Sequence, residues 1–456
     1  MGGASAWPYK STGKSRGLVL LALGIVKVAT AEQLRQLVLP GTVDVQTVRN
    51  ACKDLRSAGL VESVGRTSFL AASGRPVWRD VWNLTPAGLA SAASEVGRPV
   101  REMGGTAREA AMAGAPHALA VTDTIDAFRQ SPPLPTKPVA RRTTTTGAVP
   151  APARILPARP PGLGHLRGWE TEVPLPVSGT FTTPARGSLR ADAVLRAPED
   201  GVPVMFVEVD NHTEPSAVVA RKIDGYRRFF RRTAKDHQGR EVPFWSTLWD
   251  DSHHDGYPPL ALVFAKDVSP EVVMNRMTAI RDLSTDCWQG TWTGGSSHDR
   301  TARDGYRDYT ATIPVLTTTL ARLRQHGPHG PVWWRYGHPA WQTLETALDN
   351  PDDHRAFHTR EEQRRTEHHA REERERQERE AVRAREKAAA WACPTCGREV
   401  RAGDGWETAP SGPPGGDCGV CTSAKNRARE AVEVRAAGEP QGREEAGRNG
   451  LFGFLR

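Results

Sequence analysis

Residues 189–226 constrain the fold more than any other stretch of this sequence. Apolar and polar residues alternate on both sides of a break that contains Pro and Gly, and the second run, 204–210, ends in acidic residues. This pattern predicts a β-hairpin. Because strand side chains alternate between two faces, Glu208 and Asp210 share one face, and the turn brings Asp192 opposite Glu208 to within about one residue. Three carboxylates are therefore predicted to form one acidic patch.

An acidic patch at the end of a buried hairpin repels itself unless a cation lies within it. Oxygen ligands suit Mg²⁺ or Mn²⁺, so Asp192 and Glu208 are predicted to hold one of these ions. A helix predicted at 216–232 carries an apolar stripe that includes Tyr226, and Lys222 stands one turn before it. The helix thus places an amine and a phenol near the carboxylates. In the alternative interpretation, the carboxylates pair with neighbouring arginines and the lysine only extends its amine to solvent.

The order of an aspartate, a turn, a Glu-x-Asp pair and a helical lysine resembles the core of the PD-(D/E)XK nuclease superfamily. More narrowly, Asp192, the segment FVEVDNHTE and the spacing from Lys222 to Tyr226 resemble the replication-relaxation family. This family occurs in bacterial plasmids and integrative elements, and it is common in actinobacteria. The resemblance covers roughly residues 15–335.

Two positions depart from the superfamily pattern. Ala191 stands in place of its proline, and Asp210 stands in place of its catalytic lysine, so that Lys222 would supply the positive charge from the helix. The resemblance implies metal binding by Asp192 and Glu208, ligation or general-base action by Asp210, charge stabilisation by Lys222, and either positioning of Lys222 or attack on phosphorus by Tyr226.

The segment WETEVPLPV, residues 169–177, is predicted to form the first strand of the same sheet. In the family picture, Glu170 or Glu172 points toward the acidic patch as an outer ligand or a general base. Spacing alone does not choose between them, and Glu170 is taken as the candidate catalytic residue. The apolar run at 260–265 and the helix predicted after it continue an alternation of strands and helices, which predicts an α/β domain with a mixed sheet.

Residues 16–97 predict a different kind of domain. Three helices are followed by a strand, a Gly/Arg/Pro-containing tip, a second strand and a closing helix. This is the order of a winged helix-turn-helix domain. The segments KDLRSAGLVE and WNLTPAG resemble sequences of winged-helix regulators and initiators. Residues 1–15 before it are predicted to be disordered.

A winged helix of this kind reads double-stranded DNA with its third helix and contacts the backbone with its wing. The alternative is a winged helix used for protein contact or dimerisation, because a fold does not fix a function. The residues predicted to contact DNA are Gln46, Arg49, Asn50 and Lys53 on the third helix, and Arg66 and Arg75 at the wing.

The composition agrees with a nucleic-acid partner. A chain of 456 residues is long enough for two or three domains, and its formal net charge of +8 favours a polyanion. A hydrophobic content of 38% with 35 prolines and 43 glycines indicates sizeable unfolded stretches. The start lacks a signal-peptide pattern and the apolar run at 18–26 is too short to span a bilayer, so a cytoplasmic protein without a membrane span is expected.

The central part of the chain divides by composition. Residues 98–116 are small, polar and glycine-rich, and they are predicted to be a linker. The nuclease-like α/β domain is predicted at 117–340, beginning with a helix that carries a stripe of apolar residues. Within it, 130–163 is rich in proline and threonine, which predicts a disordered insertion.

The C-terminal part begins with a run of charge at 354–390, in which Glu and Arg recur three and four residues apart. This spacing predicts a solvated single helix rather than a coiled coil, because apolar a and d positions are missing. Residues 391–430 then carry two Cys-x-x-Cys pairs, which predict a zinc ribbon with a structural zinc, and 431–456 is predicted to be a flexible tail. The predicted zinc ligands are Cys393, Cys396, Cys418 and Cys421.

Taken together, these patterns predict an α/β multidomain protein with a winged helix, a PD-(D/E)XK-like domain, a charged helix and a zinc ribbon. The leading hypothesis is a replication-relaxation protein of a mobile element that recognises DNA and nicks or processes it with a metal-dependent site. The alternative is a non-catalytic replication initiator or transcriptional regulator with a degenerate nuclease fold. A third hypothesis is an adaptor whose C-terminal region recruits replication or transfer machinery.

Overall fold

The computed structural model describes most of the chain, in segments. These are residues 7–40, 42, 44–70, 75–103, 106, 108–129, 162–179, 188–251, 254–294, 305–401 and 415–436. The disorder predicted for most of 130–163 and the flexible tail from 437 onward lie outside the described residues. The chain forms two compact units, Met1–Phe357 and His358–Arg456.

The first unit begins with four helices and a small antiparallel sheet. Side-chain caps start three of these helices: Thr12 caps α1, Thr30 and Gln33 form a capping box at α2, and Thr85 caps α4, whose first residue is a proline. The three strands lie in the order β1-β3-β2. The elements are α1 (Gly13–Val26), β1 (Val28–Thr30), α2 (Ala31–Val38), α3 (Gln46–Ser57), β2 (Val61–Leu70), β3 (Pro76–Leu84) and α4 (Pro86–Val96).

Residues 7–12 were expected to belong to a disordered start, but the structure holds them against α3. The buried carboxylate of Asp54 accepts hydrogen bonds from the backbone N–H groups of Tyr9 and Ser11 at 2.8 and 2.9 Å. Thr12 then caps α1 by accepting from Ser15 N–H. The hydrogen bonds to Asp54, which is more than 40 residues away in sequence, fix a segment whose composition alone indicated disorder.

The linker predicted at 98–116 is also corrected. Helix α5 (Arg108–Arg129) begins well before Pro116, which lies inside the helix. Its Leu119 packs with Val28 and Val81 of the small sheet, and its Phe128 packs in a core that contains residues of both α1 and the large sheet. The N-terminal elements and the α/β region therefore share one continuous core and form a single unit.

A mixed seven-stranded sheet forms the centre of the first unit, in the order β14-β13-β12-β9-β6-β5-β4. Strand β9 pairs in parallel with β6 and β12, and the remaining pairs are antiparallel. The prediction of an α/β fold with a mixed sheet is confirmed. The strands are β4 (Trp169–Leu175), β5 (Leu189–Ala197), β6 (Val202–Asp210), β9 (Leu260–Phe264), β12 (Val315–Thr319), β13 (Trp333–Arg335) and β14 (Trp341–Gln342).

Helices and short hairpins surround this sheet. Core residues on one face pack with α5 and the N-terminal helices, and those on the other face pack with α6 and α7. Leu163 is buried in the first of these cores, so the disorder predicted for 130–163 is wrong for that residue. The surrounding elements are α6 (Ser216–Phe230), β7 (Thr233–Lys235), β8 (Glu241–Pro243), α7 (Pro270–Leu283), α8 (Thr285–Trp288), β10 (Thr291–Gly294), β11 (Gly305–Asp308), α9 (Leu320–His326) and α10 (Leu344–Leu348).

The C-terminal elements start with α11 (His354–Ala388), a long helix with exposed side chains and several Arg–Glu pairs one turn apart. A two-stranded sheet of β15 (Trp391–Ala392) and β16 (Glu399–Val400) follows, and α12 (Gly419–Ala436) closes the described chain. Helix α12 continues past residue 430, where the zinc ribbon was predicted to end. Among the described helices, none has the length and apolar character needed to cross a membrane.

Candidate functional site

The structure places Asp192 and Glu208 opposite each other on adjacent strands. Strands β5 and β6 pair Ala193 with Val207, and continuing this antiparallel register by one residue pairs the two acidic residues. Asp192 is 9% exposed and Glu208 is 5% exposed. The N–H of Val209 donates to Asp192 Oδ2 at 2.8 Å, which fixes that carboxylate against the neighbouring strand.

Helix α6 delivers a phenol and an amine to Glu208, because residues four apart lie on the same helix face. The hydroxyl of Tyr226 donates to Glu208 Oε1 at 2.7 Å. Lys222 Nζ lies 3.7 Å from Glu208 Oε2 and 2.9 Å from Glu214 Oε2. The lysine thus bridges a buried carboxylate and one nearer the surface. Tyr226 contacts the glutamate, although sequence analysis assigned it to Lys222.

A histidine that sequence analysis did not assign to the site completes this group. His117 Nε2 of α5 lies 3.0 Å from Asp192 Oδ1. The hydrogen bond to Asp192 raises the pKa of His117 above its ordinary value, because it stabilises the imidazolium. The sequence showed only that this residue starts an apolar helix, and nothing in its local pattern indicated a contact with a strand 75 residues away. We call Asp192, Glu208, Lys222, Tyr226 and His117 the carboxylate cluster.

The electrostatics of the carboxylate cluster follow from burial. Burial and the nearby charge of Asp192 raise the pKa of Glu208 to about 8, although Lys222 and the Tyr226 hydrogen bond oppose this shift. Burial lowers the pKa of Lys222, but the adjacent carboxylates outweigh it and the net pKa is raised. Burial also holds the pKa of Tyr226 well above its ordinary value. The phenol is therefore a neutral hydrogen-bond donor.

Asp210 does not join the carboxylate cluster, so the prediction that three carboxylates share one patch is wrong for this residue. Arg276 of α7 forms an ion pair with both oxygens of Asp210, and its NH2 group also donates to the carbonyl of Glu214 at 2.6 Å. Asp210 further accepts from the N–H of His212 at 2.8 Å. A two-point contact with an arginine turns the carboxylate toward α7 and neutralises it.

The structure also corrects the choice of Glu170. Its carboxylate forms ion pairs with Arg196 and Arg98, whereas Glu172 lies opposite Asp192 across the β4–β5 pair. Burial and the charge of Asp192 raise the pKa of Glu172. The backbone of Glu172 has a φ of 56°, a conformation that residues other than glycine rarely adopt. Backbone strain of this kind is concentrated at functional sites, and simple strand alternation could not have predicted it.

The carboxylate cluster offers two acidic ligands for a divalent ion. Two facing carboxylates suit Mg²⁺ or Mn²⁺ chemically, and a cation between them would relieve the repulsion that raises the pKa of Glu208. In the part of the chain that the structure describes, however, no third His, Cys, Asp or Glu brings its ligand atom close to both. The prediction of a catalytic Mg²⁺ or Mn²⁺ is therefore not supported by this geometry.

The four C-terminal cysteines form the metal-ligand group that the described residues do contain. Their sulfur atoms all lie within 4.8 Å of one another. The Cys396 and Cys418 sulfurs are 3.7 Å apart, close to the roughly 3.8 Å expected between two ligands of a tetrahedral zinc with Zn–S bonds of about 2.3 Å. The N–H of Cys418 also donates to Cys393 Sγ. The group Cys393, Cys396, Cys418 and Cys421 fits a tetrahedral zinc.

The residues predicted to contact DNA lie on α3 and the β2–β3 hairpin. Gln46 and Lys53 are exposed on α3, and Gln46 Nε2 donates to Asn50 Oδ1 at 2.7 Å. Arg49 pairs with Glu32 of α2 at 2.6 Å. On the hairpin, Arg75 is exposed, and Arg66 is exposed within 3.7 Å of Asp80.

A comparison with protein families finds a match over part of the chain. The model of the replication-relaxation family matches residues 20–242, just under half of the chain. This region contains α3, the β2–β3 hairpin and the whole carboxylate cluster, and it ends before Arg276 and the four cysteines. No curated protein and no solved structure matches the chain.

Proposed function

We propose that this protein is a replication-relaxation protein of a plasmid or other mobile element, which binds DNA through its N-terminal elements and processes the DNA backbone at the carboxylate cluster. The family match suggests a role in the replication or relaxation of such an element, and DNA is the substrate of both processes. The observation that carries the catalytic part is the convergence of Asp192, Glu208 and Lys222, which come from two strands and a helix.

The N-terminal elements support DNA binding. Three helices, a two-stranded hairpin and a further helix follow one another in the order of a winged helix, with the short strand β1 added to the sheet. In that arrangement α3 enters the major groove, and Arg66 and Arg75 reach the backbone from the hairpin. The net charge of +8 favours the same polyanionic partner.

Each residue of the carboxylate cluster has a distinct role in this proposal. Asp192 and Glu208 would hold a divalent cation, which polarises a phosphodiester and lowers the pKa of water when it is bound. Lys222 stabilises negative charge on the attacked phosphate, because its amine lies 3.7 Å from Glu208 and is partly exposed. Tyr226 orients Glu208, and His117 orients Asp192. The buried, neutral phenol is unsuited to attack phosphorus.

A second candidate function is a non-catalytic initiator or regulator, and the Asp210–Arg276 pair favours it. An active metal site commonly uses further carboxylates, whereas here the third acidic residue is neutralised by an arginine. Lys222 and His117 also compensate the two remaining carboxylates. In this second function, the carboxylate cluster stabilises the fold and the N-terminal elements carry the activity.

A nicking assay on supercoiled plasmid DNA with Mg²⁺ or Mn²⁺ separates the two functions. We expect wild type to nick, Asp192→Asn and Glu208→Gln to lose most of this activity, and Asp224→Asn, at an exposed position of α6, to retain it as the matched carboxylate control. Equal nicking by all four proteins would assign the activity to another site or a contaminant. If wild type binds DNA without nicking it, the non-catalytic function is correct.

We further propose that the four cysteines of the C-terminal unit bind a structural zinc and that this unit binds replication or transfer machinery. A closed set of four thiolates leaves no position for a substrate, which argues against catalysis at this site. Replacing all four cysteines with serine, followed by separate nicking and partner-capture measurements, tests this assignment. Loss of partner capture with intact nicking is the expected result, and loss of nicking alone would overturn it.

A further inference from the structure

The outer half of the β2–β3 hairpin exposes two large apolar side chains next to each other. Trp78 is 57% exposed and Val77 is 42% exposed. Trp82, which is on the same face of β3 as Trp78, is 3% exposed because it packs in the core of the first unit. The strand therefore leaves the core between these two tryptophans, and its outer part presents an aromatic ring to solvent.

Two exposed cationic side chains lie on the hairpin that carries this ring. Arg66 of β2 pairs with Asp80, two residues from Trp78, and therefore shares the face of Trp78, and the exposed Arg75 immediately precedes β3. The guanidinium of Arg79 lies on the other face, over the ring of Phe69, 4.7 Å from its centre. An exposed aromatic ring among arginines offers stacking area together with positive charge, which is the combination that binds unpaired nucleotides.

Glu32 connects this hairpin to α3. Its carboxylate lies 3.5 Å from Arg79 of the hairpin and 2.6 Å from Arg49 of α3. One acidic side chain thus holds an arginine from each element and fixes the hairpin relative to α3. DNA held by α3 would therefore also reach the hairpin that carries Trp78.

We propose that Trp78 stacks on an unpaired base of DNA next to the duplex held by α3; this inference rests on the proposed function. The arginines hold the flanking phosphates, and the ring covers the face of a base that is no longer stacked in the duplex. The charge of this surface favours DNA over a protein partner. The hairpin therefore stabilises locally opened DNA, the form in which a replication origin or a nicked site is processed.

The test compares full-length wild type, Trp78→Ala and Trp78→Phe on two fluorescein-labelled DNAs. One is a duplex of about 30 base pairs, and the other is the same duplex with about five unpaired positions at its centre, both at low salt because non-specific affinity is salt-dependent. Stacking on one base is worth about 1–3 kcal/mol, so Trp78→Ala should weaken binding of the opened DNA about 5-fold to 150-fold. Binding of the intact duplex should change less than about twofold, and Trp78→Phe should retain most of the affinity.

Trp292 supplies the matched control, because it is also an exposed tryptophan on a paired strand of the first unit and has the Arg307 guanidinium 5.8 Å from its ring centre, but it lies outside the N-terminal elements that carry α3. We expect Trp292→Ala to bind both DNAs like wild type. Unchanged binding of the opened DNA by Trp78→Ala would overturn the inference, and so would an equal loss on both DNAs. A change in oligomeric state in Trp78→Ala, measured by light scattering, would assign the ring to a protein contact instead. If wild type binds neither DNA, the proposed function itself fails.

Discussion

The hydroxyl of Tyr226 donates a hydrogen bond to Glu208 Oε1 at 2.7 Å, and both side chains are buried. The contact joins the helix α6 to strand β6 of the seven-stranded sheet. A buried phenol that donates to a carboxyl group orients that group, whereas a nucleophile must reach its substrate. We therefore infer that Tyr226 positions Glu208 and does not act as a nucleophile.

Replacing Tyr226 with phenylalanine tests this assignment through stability. The variant leaves a buried acceptor without its donor, so we expect the free energy of unfolding to fall by about 1–3 kcal/mol. Urea unfolding followed by circular dichroism measures the change. Tyr257→Phe is the control, because Tyr257 is half-buried and lies outside the carboxylate cluster, and a smaller change is expected. Equal stability of wild type and Tyr226→Phe would show that the hydrogen bond contributes nothing.

Glu208 makes stability depend on pH. The folded protein holds the carboxyl proton up to about pH 8, whereas an unfolded glutamate loses it near pH 4.3. Between these pH values the unfolded state has released a proton that the folded state keeps. The contribution of Glu208 therefore lowers the free energy of unfolding progressively as the pH rises from about 4 to about 8.

Glu208→Gln should therefore gain stability relative to wild type as the pH increases from about 5 to about 8, by at most about 1.4 kcal/mol per pH unit. Urea unfolding at several pH values measures the difference. Glu199→Gln, at a half-exposed position, should show no such trend. A difference between Glu208→Gln and wild type that stays constant with pH would mean that Glu208 is ionised throughout.

The pair of Asp210 and Arg276 is buried, and removing one partner leaves an uncompensated charge. We expect Arg276→Ala to lower the free energy of unfolding by about 3–5 kcal/mol, and Asp210→Asn combined with Arg276→Met to recover part of this loss. Arg228→Ala, which breaks the exposed pair with Asp224, should cost no more than about 1 kcal/mol. A double variant that is no more stable than Arg276→Ala would contradict this view of the pair.

The sequence predicted the local parts of the site and missed the long-range ones. Alternation and a turn were enough to place Asp192 opposite Glu208, and helical spacing was enough to place Lys222 and Tyr226 on one face of α6. Arg276 lies 66 residues beyond Asp210, and His117 lies 75 residues before Asp192. Contacts over such separations depend on how helices pack on the sheet, which periodicity does not specify.

Backbone conformation and helix boundaries set the other limits. Glu172 adopts a positive φ, so regular alternation could not select it over Glu170. The residues before Pro116 are small and were interpreted as a linker, although a helix tolerates proline when packing supports the surrounding turns. The mixed sheet was predictable because alternating strands and helices restrict how strands can connect.

The four cysteines make the last prediction, which concerns metal removal. Purified protein should contain about one zinc per chain, since four thiolates satisfy a tetrahedral ion. Cys418→Ser should lose the metal, because Cys418 is buried between the other sulfurs, whereas Cys287→Ser in the first unit should retain it. Metal analysis by mass spectrometry measures both.

In the second unit, β15 and β16 contribute only two residues each, so their pairing depends on the metal and should be lost when a chelator removes it. Full zinc content in Cys418→Ser, or retained amide protection of β15 and β16 after chelation, would show that the cysteines do not form a structural zinc site.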